Sequence, residues 1–157
     1  MSVNYNPGGS SNKSRGPGEI KCLSIAKVSE AHLLLILPNA NTIKAYADEF
    51  RKEAQTIADE LRKSTAYPEM RDMKDSICGV WYTYVDKYHI AYSLLTDNDY
   101  KSNSAFQMLK DVAREVYSQT NLRSGSEIEN LSNLNHCRET LTQVLNVNGS
   151  ETILKKA

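Results

Sequence analysis

The sequence predicts a single α+β domain: one largely antiparallel sheet with helices covering it. Three observations carry that prediction. Two strand-like runs, Ile77 to Val85 and Tyr88 to Thr96, meet at a tight turn, Asp86-Lys87, as a hairpin does. Thr42 to Ser64 repeats apolar residues at intervals of three and four. Asn103 to Gln119 does the same directly after the hairpin.

Composition sets the frame. The chain has 157 residues, enough for one domain, and 40% of them are hydrophobic, enough to bury a core. Lys+Arg and Asp+Glu both number 19, so the formal charge is zero. A general nucleic-acid or anionic-membrane binder would want a basic excess, and none is expected here. Cys22, Cys78 and Cys137 form no CxxC pair; with a polar N-terminus they fit a reduced, cytoplasmic setting. The longest apolar run, Ala31 to Pro38, is too short to cross a bilayer.

Residues 1–18 are rich in Ser, Asn, Gly and Pro, and are expected to form a disordered tail. The folded domain is expected over residues 19–145, and residues 146–157 as a flexible end or the start of a linker. Glu19 to Val28 contains a β-friendly run from Ile20 to Ala26. Ala31 to Leu37 is nearly all apolar, which predicts a strand covered on both faces or central in the sheet. Pro38 ends it.

The Thr42–Ser64 helix carries Ile43, Tyr46, Ala47, Phe50, Ala54, Ile57, Ala58 and Leu61 on one stripe, with Asn41 or Thr42 as its cap. Its other positions mix both charge signs, as a solvated face does. Glu69 to Asp75 reads as a short edge strand whose charges discourage pairing with a second edge. In the following hairpin Ile90, Tyr92 and Leu94 should share one face, and His89, Ala91, Ser93 and Leu95 the other. Phe106, Leu109, Val112, Ala113, Val116 and Tyr117 form the stripe of the Asn103–Gln119 helix, with Asn103 placed to cap it. Ser126 to Leu145 carries Ile128, Leu131, Leu134, Leu141, Val144 and Leu145 at helical spacing and is expected to be a third helix.

No catalytic or metal-binding signature accompanies these elements. His32, His89 and His136 sit in different elements, and no HExxH, P-loop, dinucleotide fingerprint or nucleophile elbow is present. Asp97-Asn98-Asp99 lacks the glycine and distal glutamate of a calcium loop and reads as a turn. The aromatic group Trp81, Tyr82, Tyr84, Tyr88 and Tyr92 has few basic neighbours, so core packing is expected rather than stacking on bases. No catalytic residue, cofactor or metal is therefore assigned.

Ala54 to Leu61, the strand pair around Val80–Val85 and Tyr88–Leu95, and above all the block from Tyr100 to Asp111 resemble the longin domain. That domain is the N-terminal regulatory domain of one class of vesicle-fusion R-SNAREs, and the likeness is to those of the ER–Golgi type. The resemblance implies a profilin-like fold: a five-stranded antiparallel sheet with one helix on one face and two on the other. It implies a protein-binding regulatory role in vesicle-mediated trafficking, at the cytosolic face of ER, Golgi or vesicle membranes. The implied partner is a SNARE-motif helix, its own or another's, or a coat or adaptor protein. The implied groove lies between the first helix and the third strand, which on this chain involves Phe50, Ile57, Leu61, Met70 and Met73. A structural longin-type subunit of a tethering, adaptor or GTPase-regulating complex is the alternative. The chain departs from the R-SNARE pattern at Val147, which stands where a fusion helix would place its central arginine after Gln143-Val144-Leu145-Asn146. The expectation is thus a fragment of a longer protein or a longin without a fusion helix.

Overall fold

A computed structural model describes residues 18–64, 69–120 and 137–145, the side chains of 117–120 excepted. The expectations for residues 1–17 and 146–157, for the first part of the third helix, and for His136 and Tyr117 lie outside the described residues.

Five strands form one antiparallel sheet: β1 (Ile20–Lys27), β2 (His32–Pro38), β3 (Arg71–Ser76), β4 (Gly79–Val85) and β5 (Ile90–Thr96). Their order across the sheet is β2-β1-β5-β4-β3. The helix α1 (Lys44–Lys63) follows β2, and α2 (Ser102–Thr120) follows β5. Residues 138–145 are helical too.

Strand alternation sends side chains to two separate cores. On one face Trp81, Val85, Ala91 and Leu95 join Phe50, Ala54, Ile57 and Leu61 of α1. On the other Tyr82, Tyr84, Ile90, Tyr92 and Leu94 join Ala105, Met108, Leu109, Val112, Ala113 and Val116 of α2, with Cys137 and Leu141. The expected α+β architecture is therefore present, α1 on one side and two helical segments on the other. The expected β5 alternation holds for Ile90 to Leu95. Of the aromatic group, Trp81, Tyr82, Tyr84 and Tyr92 are buried, and Tyr88 packs half-buried against the α2-side core. At roughly 1.5–3 kcal/mol for each large apolar side chain removed from water, these two layers dominate folding.

Several boundaries differ from the sequence reading. β2 lies at the sheet edge rather than its centre, and of the two expected alternatives cover on both faces holds: Leu34, Leu35 and Leu37 enter one core and Ile36 the other. Its pairing with β1 jumps from Ile25–Leu35 to Ala26–Leu33, so Leu34 is an extra, bulged residue. The hairpin turn is four residues, not two. Asp86 makes it so: its buried carboxylate accepts from the Tyr88 and Ile90 amides at 2.8 and 3.0 Å and from the Tyr92 hydroxyl at 3.1 Å. His89 accordingly leaves the strand and takes a left-handed φ of 61°. β4 begins at Gly79, because Ile77 and Cys78 form the β3–β4 turn. α2 begins at Ser102, which puts Asn103 inside its first turn.

The start of α1 also departs from expectation. Neither Asn41 nor Thr42 caps it; Ile43 occupies the cap position with no side-chain hydrogen bond. Asn39 organises the preceding link instead. Its side-chain oxygen accepts from the Asn41 amide at 2.9 Å, its carbonyl from the Thr42 amide at 2.9 Å, and its Nδ2 donates to the Ile20 carbonyl at 3.2 Å. The link is thereby pinned to the start of β1, and this fixes one end of the site described next.

Candidate functional site

An open trough of about 710 Å³ lies between the first half of α1 and the β3–β4 turn. Tyr46, Glu49 and Phe50 form the helical wall, Ile77 and Cys78 the opposite wall, and Glu19 and Lys21 of the β1 end the floor. The link from Asn39 to Ile43 closes one end.

The exposed residues of this trough are its most informative feature. Ile43, Tyr46 and Ile77 are 59%, 61% and 92% exposed, and the remaining large hydrophobic this exposed among the described residues is Met73 at 57%. Isolated exposed apolar side chains are ordinary, but three converging on one concavity mark a binding surface. Their exposure has a structural cause. Burial along the apolar stripe of α1 begins only at Phe50, and Ile43 and Tyr46 precede it. The reading that placed both on the packed stripe is corrected here. Ile77 sits at the tip of a tight turn in which the Ser76 hydroxyl accepts from the Cys78 amide at 3.0 Å, leaving the side chain no strand partner.

Polar contacts hold the walls apart. Lys21 sits at the irregularity between Ile20 and Cys22 in the β1–β5 pairing. Its Nζ reaches the Cys78 carbonyl at 2.6 Å, bracing the turn against the β1 end. Glu53, one turn beyond Glu49, accepts from the Trp81 indole at 2.8 Å and ties α1 to β4.

The surroundings of Cys78 favour the protonated thiol. Desolvation first, then the charge and hydrogen bond of Glu53 and the charge of Glu49, push its thiol up to about 11, against a smaller lowering by Lys21. An activated cysteine needs the opposite surroundings. Cys22 of β1 is buried in the core shared with α1, and burial raises its thiol to about 12. Among the described residues, no three His, Cys, Asp or Glu side chains are grouped to hold a metal ion, and no helix is long and apolar enough to cross a membrane.

The structure separates the five residues assigned from sequence. Phe50 lines the trough, although most of its surface is buried. Ile57 and Leu61 belong to the closed core under α1, with Met70 packed against that core. Met73 lies on the other face. It pairs with Tyr82, whose ring packs on α2, whereas the neighbouring Lys74 pairs with Trp81 and reaches Glu60 of α1 at 2.8 Å. The open surface is thus displaced toward the first turns of α1. Ile43, Tyr46, Ile77 and Cys78 were not singled out from sequence; the available signal was an isoleucine flanked by Asp75-Ser76 and Cys78-Gly79, a turn-like setting.

A second, shallower pocket of about 380 Å³ lies beside Glu69, Tyr84, Asp86, Lys87, Lys110 and Arg114. The Tyr84 hydroxyl donates to Glu69 at 3.0 Å, and burial together with this carboxylate raises the phenol to about 12. Its charged lining is two carboxylates, Glu69 and Asp86, and three cations, Lys87, Lys110 and Arg114.

No family model matches this chain, and no curated protein matches it.

Proposed function

We propose that this chain is a protein-binding regulatory domain of the longin kind, acting in vesicle-mediated membrane trafficking at the cytosolic face of ER, Golgi or vesicle membranes. It takes a guest polypeptide into the trough between α1 and the β3–β4 turn. The guest is a SNARE-motif helix, its own or a partner's, or a segment of a coat or adaptor protein. One observation carries the reading: the convergence of exposed Ile43, Tyr46 and Ile77 on a single concavity. The five-stranded sheet with helices on both faces supports it as the architecture that the resemblance implies.

The mechanism follows from elementary packing. An amphipathic helix laid in the trough would bury these three side chains and its own apolar stripe together. An internal and an external segment would compete for one surface, so each would displace the other according to its affinity.

Calorimetric titration with a SNARE-motif peptide tests this. Binding should weaken roughly tenfold in Ile77→Ser, since a central apolar anchor typically contributes at least ~1 kcal/mol. Met73→Ser removes a comparably exposed hydrophobic from the other face and should change nothing. Equal losses in both variants, or no binding by the unaltered chain, would contradict the proposal.

A further inference from the structure

The trough is apolar, but its charge is not balanced. Glu49 is half-buried in the helical wall and Glu19 stands at the floor. Neither carboxylate takes part in a salt bridge among the described residues. Lys21 is the one cation lining the trough, and its ammonium is committed to the Cys78 carbonyl. Glu19 and Glu49 thus face a single lysine around the trough.

We propose that the trough selects a guest segment whose apolar cluster is flanked by a lysine or arginine, which pairs with Glu49 when the segment docks. The inference rests on the reading of the trough as a polypeptide site and adds the chemistry of its partner. Docking any apolar segment over Ile43, Tyr46 and Ile77 strips water from the adjoining Glu49 carboxylate. Desolvating a charge without a partner is unfavourable. A flanking cation offsets that loss, and a flanking carboxylate adds repulsion to it. Selection therefore comes as much from rejecting acidic guests as from attracting basic ones. The same argument disfavours an anionic lipid surface, which would meet Glu49 and Glu19 with like charge.

The test uses the full chain and two synthetic amphipathic helical peptides with identical Leu and Ala faces. One carries lysines beside that face, the other glutamates. At about 0.1 M salt the lysine peptide should bind about fivefold more tightly, as expected for one partly screened ion pair. Glu49→Gln should abolish the preference and Glu49→Lys should reverse it, each variant being checked for an unchanged amide spectrum away from the trough. Equal binding of both peptides overturns the charge selection and leaves the polypeptide site standing. A preference that survives Glu49→Lys overturns the role of Glu49. Failure of both peptides overturns this inference and the underlying site together. Vesicles of phosphatidylcholine and phosphatidylserine should not bind; association that Ile77→Ser abolishes would reassign the surface to lipid.

Discussion

The indole Nε1 of Trp81 donates to the Glu53 carboxylate across 2.8 Å, so one bond joins the buried heart of β4 to the middle of α1. Removing the acceptor strands an indole N–H on an almost wholly buried side chain. Glu53→Ala should destabilise the domain by about 1–3 kcal/mol, and Glu53→Gln, which keeps an acceptor, by less than about 1 kcal/mol. Urea unfolding of the two variants checks this ordering.

Cys78 reports on the same carboxylate. It is the one cysteine of the three that is not buried. Its thiol, raised to about 11, should alkylate slowly at neutral pH and faster as pH climbs toward that value. Because Glu53 raises the thiol, Glu53→Gln should move the rate profile to lower pH. Intact-mass measurement of alkylation against pH reads both effects, and buried Cys22 and Cys137 should label only on unfolding.

Cys22 makes alkaline stability predictable. Burial lifts its thiol from 9.0 to about 12 in the folded chain. Between those values the unfolded chain gives up a proton that the folded chain keeps, so rising pH favours unfolding. The contribution is intact below pH 9 and is lost progressively above it, at no more than about 1.4 kcal/mol per pH unit. Cys22→Ala should be less stable at pH 7 because of the cavity, yet should show a flatter decline above pH 9. Denaturant midpoints across that range test the difference in slope.

Gly79 has a φ of 146°, and a Cβ placed on it would lie 2.1 Å from the Thr96 carbonyl oxygen. That neighbour is backbone in the paired strand β5 and cannot move aside without breaking the sheet. Gly79→Ala should therefore cost about 2–4 kcal/mol, far more than an ordinary surface change. Ile77→Ser, two residues away on the exposed tip, should stay within about 0.5 kcal/mol of the unaltered chain. Thermal unfolding of both variants separates the strained position from the exposed one.

Much of the fold was legible because it obeys simple periods. The alternation of Ile90, Tyr92 and Leu94 against Ala91 and Leu95 survives unchanged in the two cores. Phe50, Ala54, Ile57 and Leu61 pack as their spacing predicts. β3, with the sequence Arg-Asp-Met-Lys-Asp-Ser, was legible as an edge because its charges suit no other place. The trough was less legible, for two reasons. Periodicity places Ile43 and Tyr46 on a helix face, but it does not reveal that burial along that face begins only at Phe50. Alternation places Ile77 in a strand, whereas the turn that ejects it depends on local hydrogen bonds to Ser76. The face of Met73 is likewise decided by its register against Tyr82, a long-range pairing that a single run of residues does not encode.

Amide chemical-shift mapping with an unlabelled SNARE-motif peptide tests the central claim most directly. If a guest polypeptide docks where Ile43, Tyr46 and Ile77 converge, the perturbed amides should cluster at residues 41–50 and 76–79, with β2 and α2 undisturbed. Perturbations centred on the β2 edge or the α2 face, or a spectrum unchanged by saturating peptide, would contradict it.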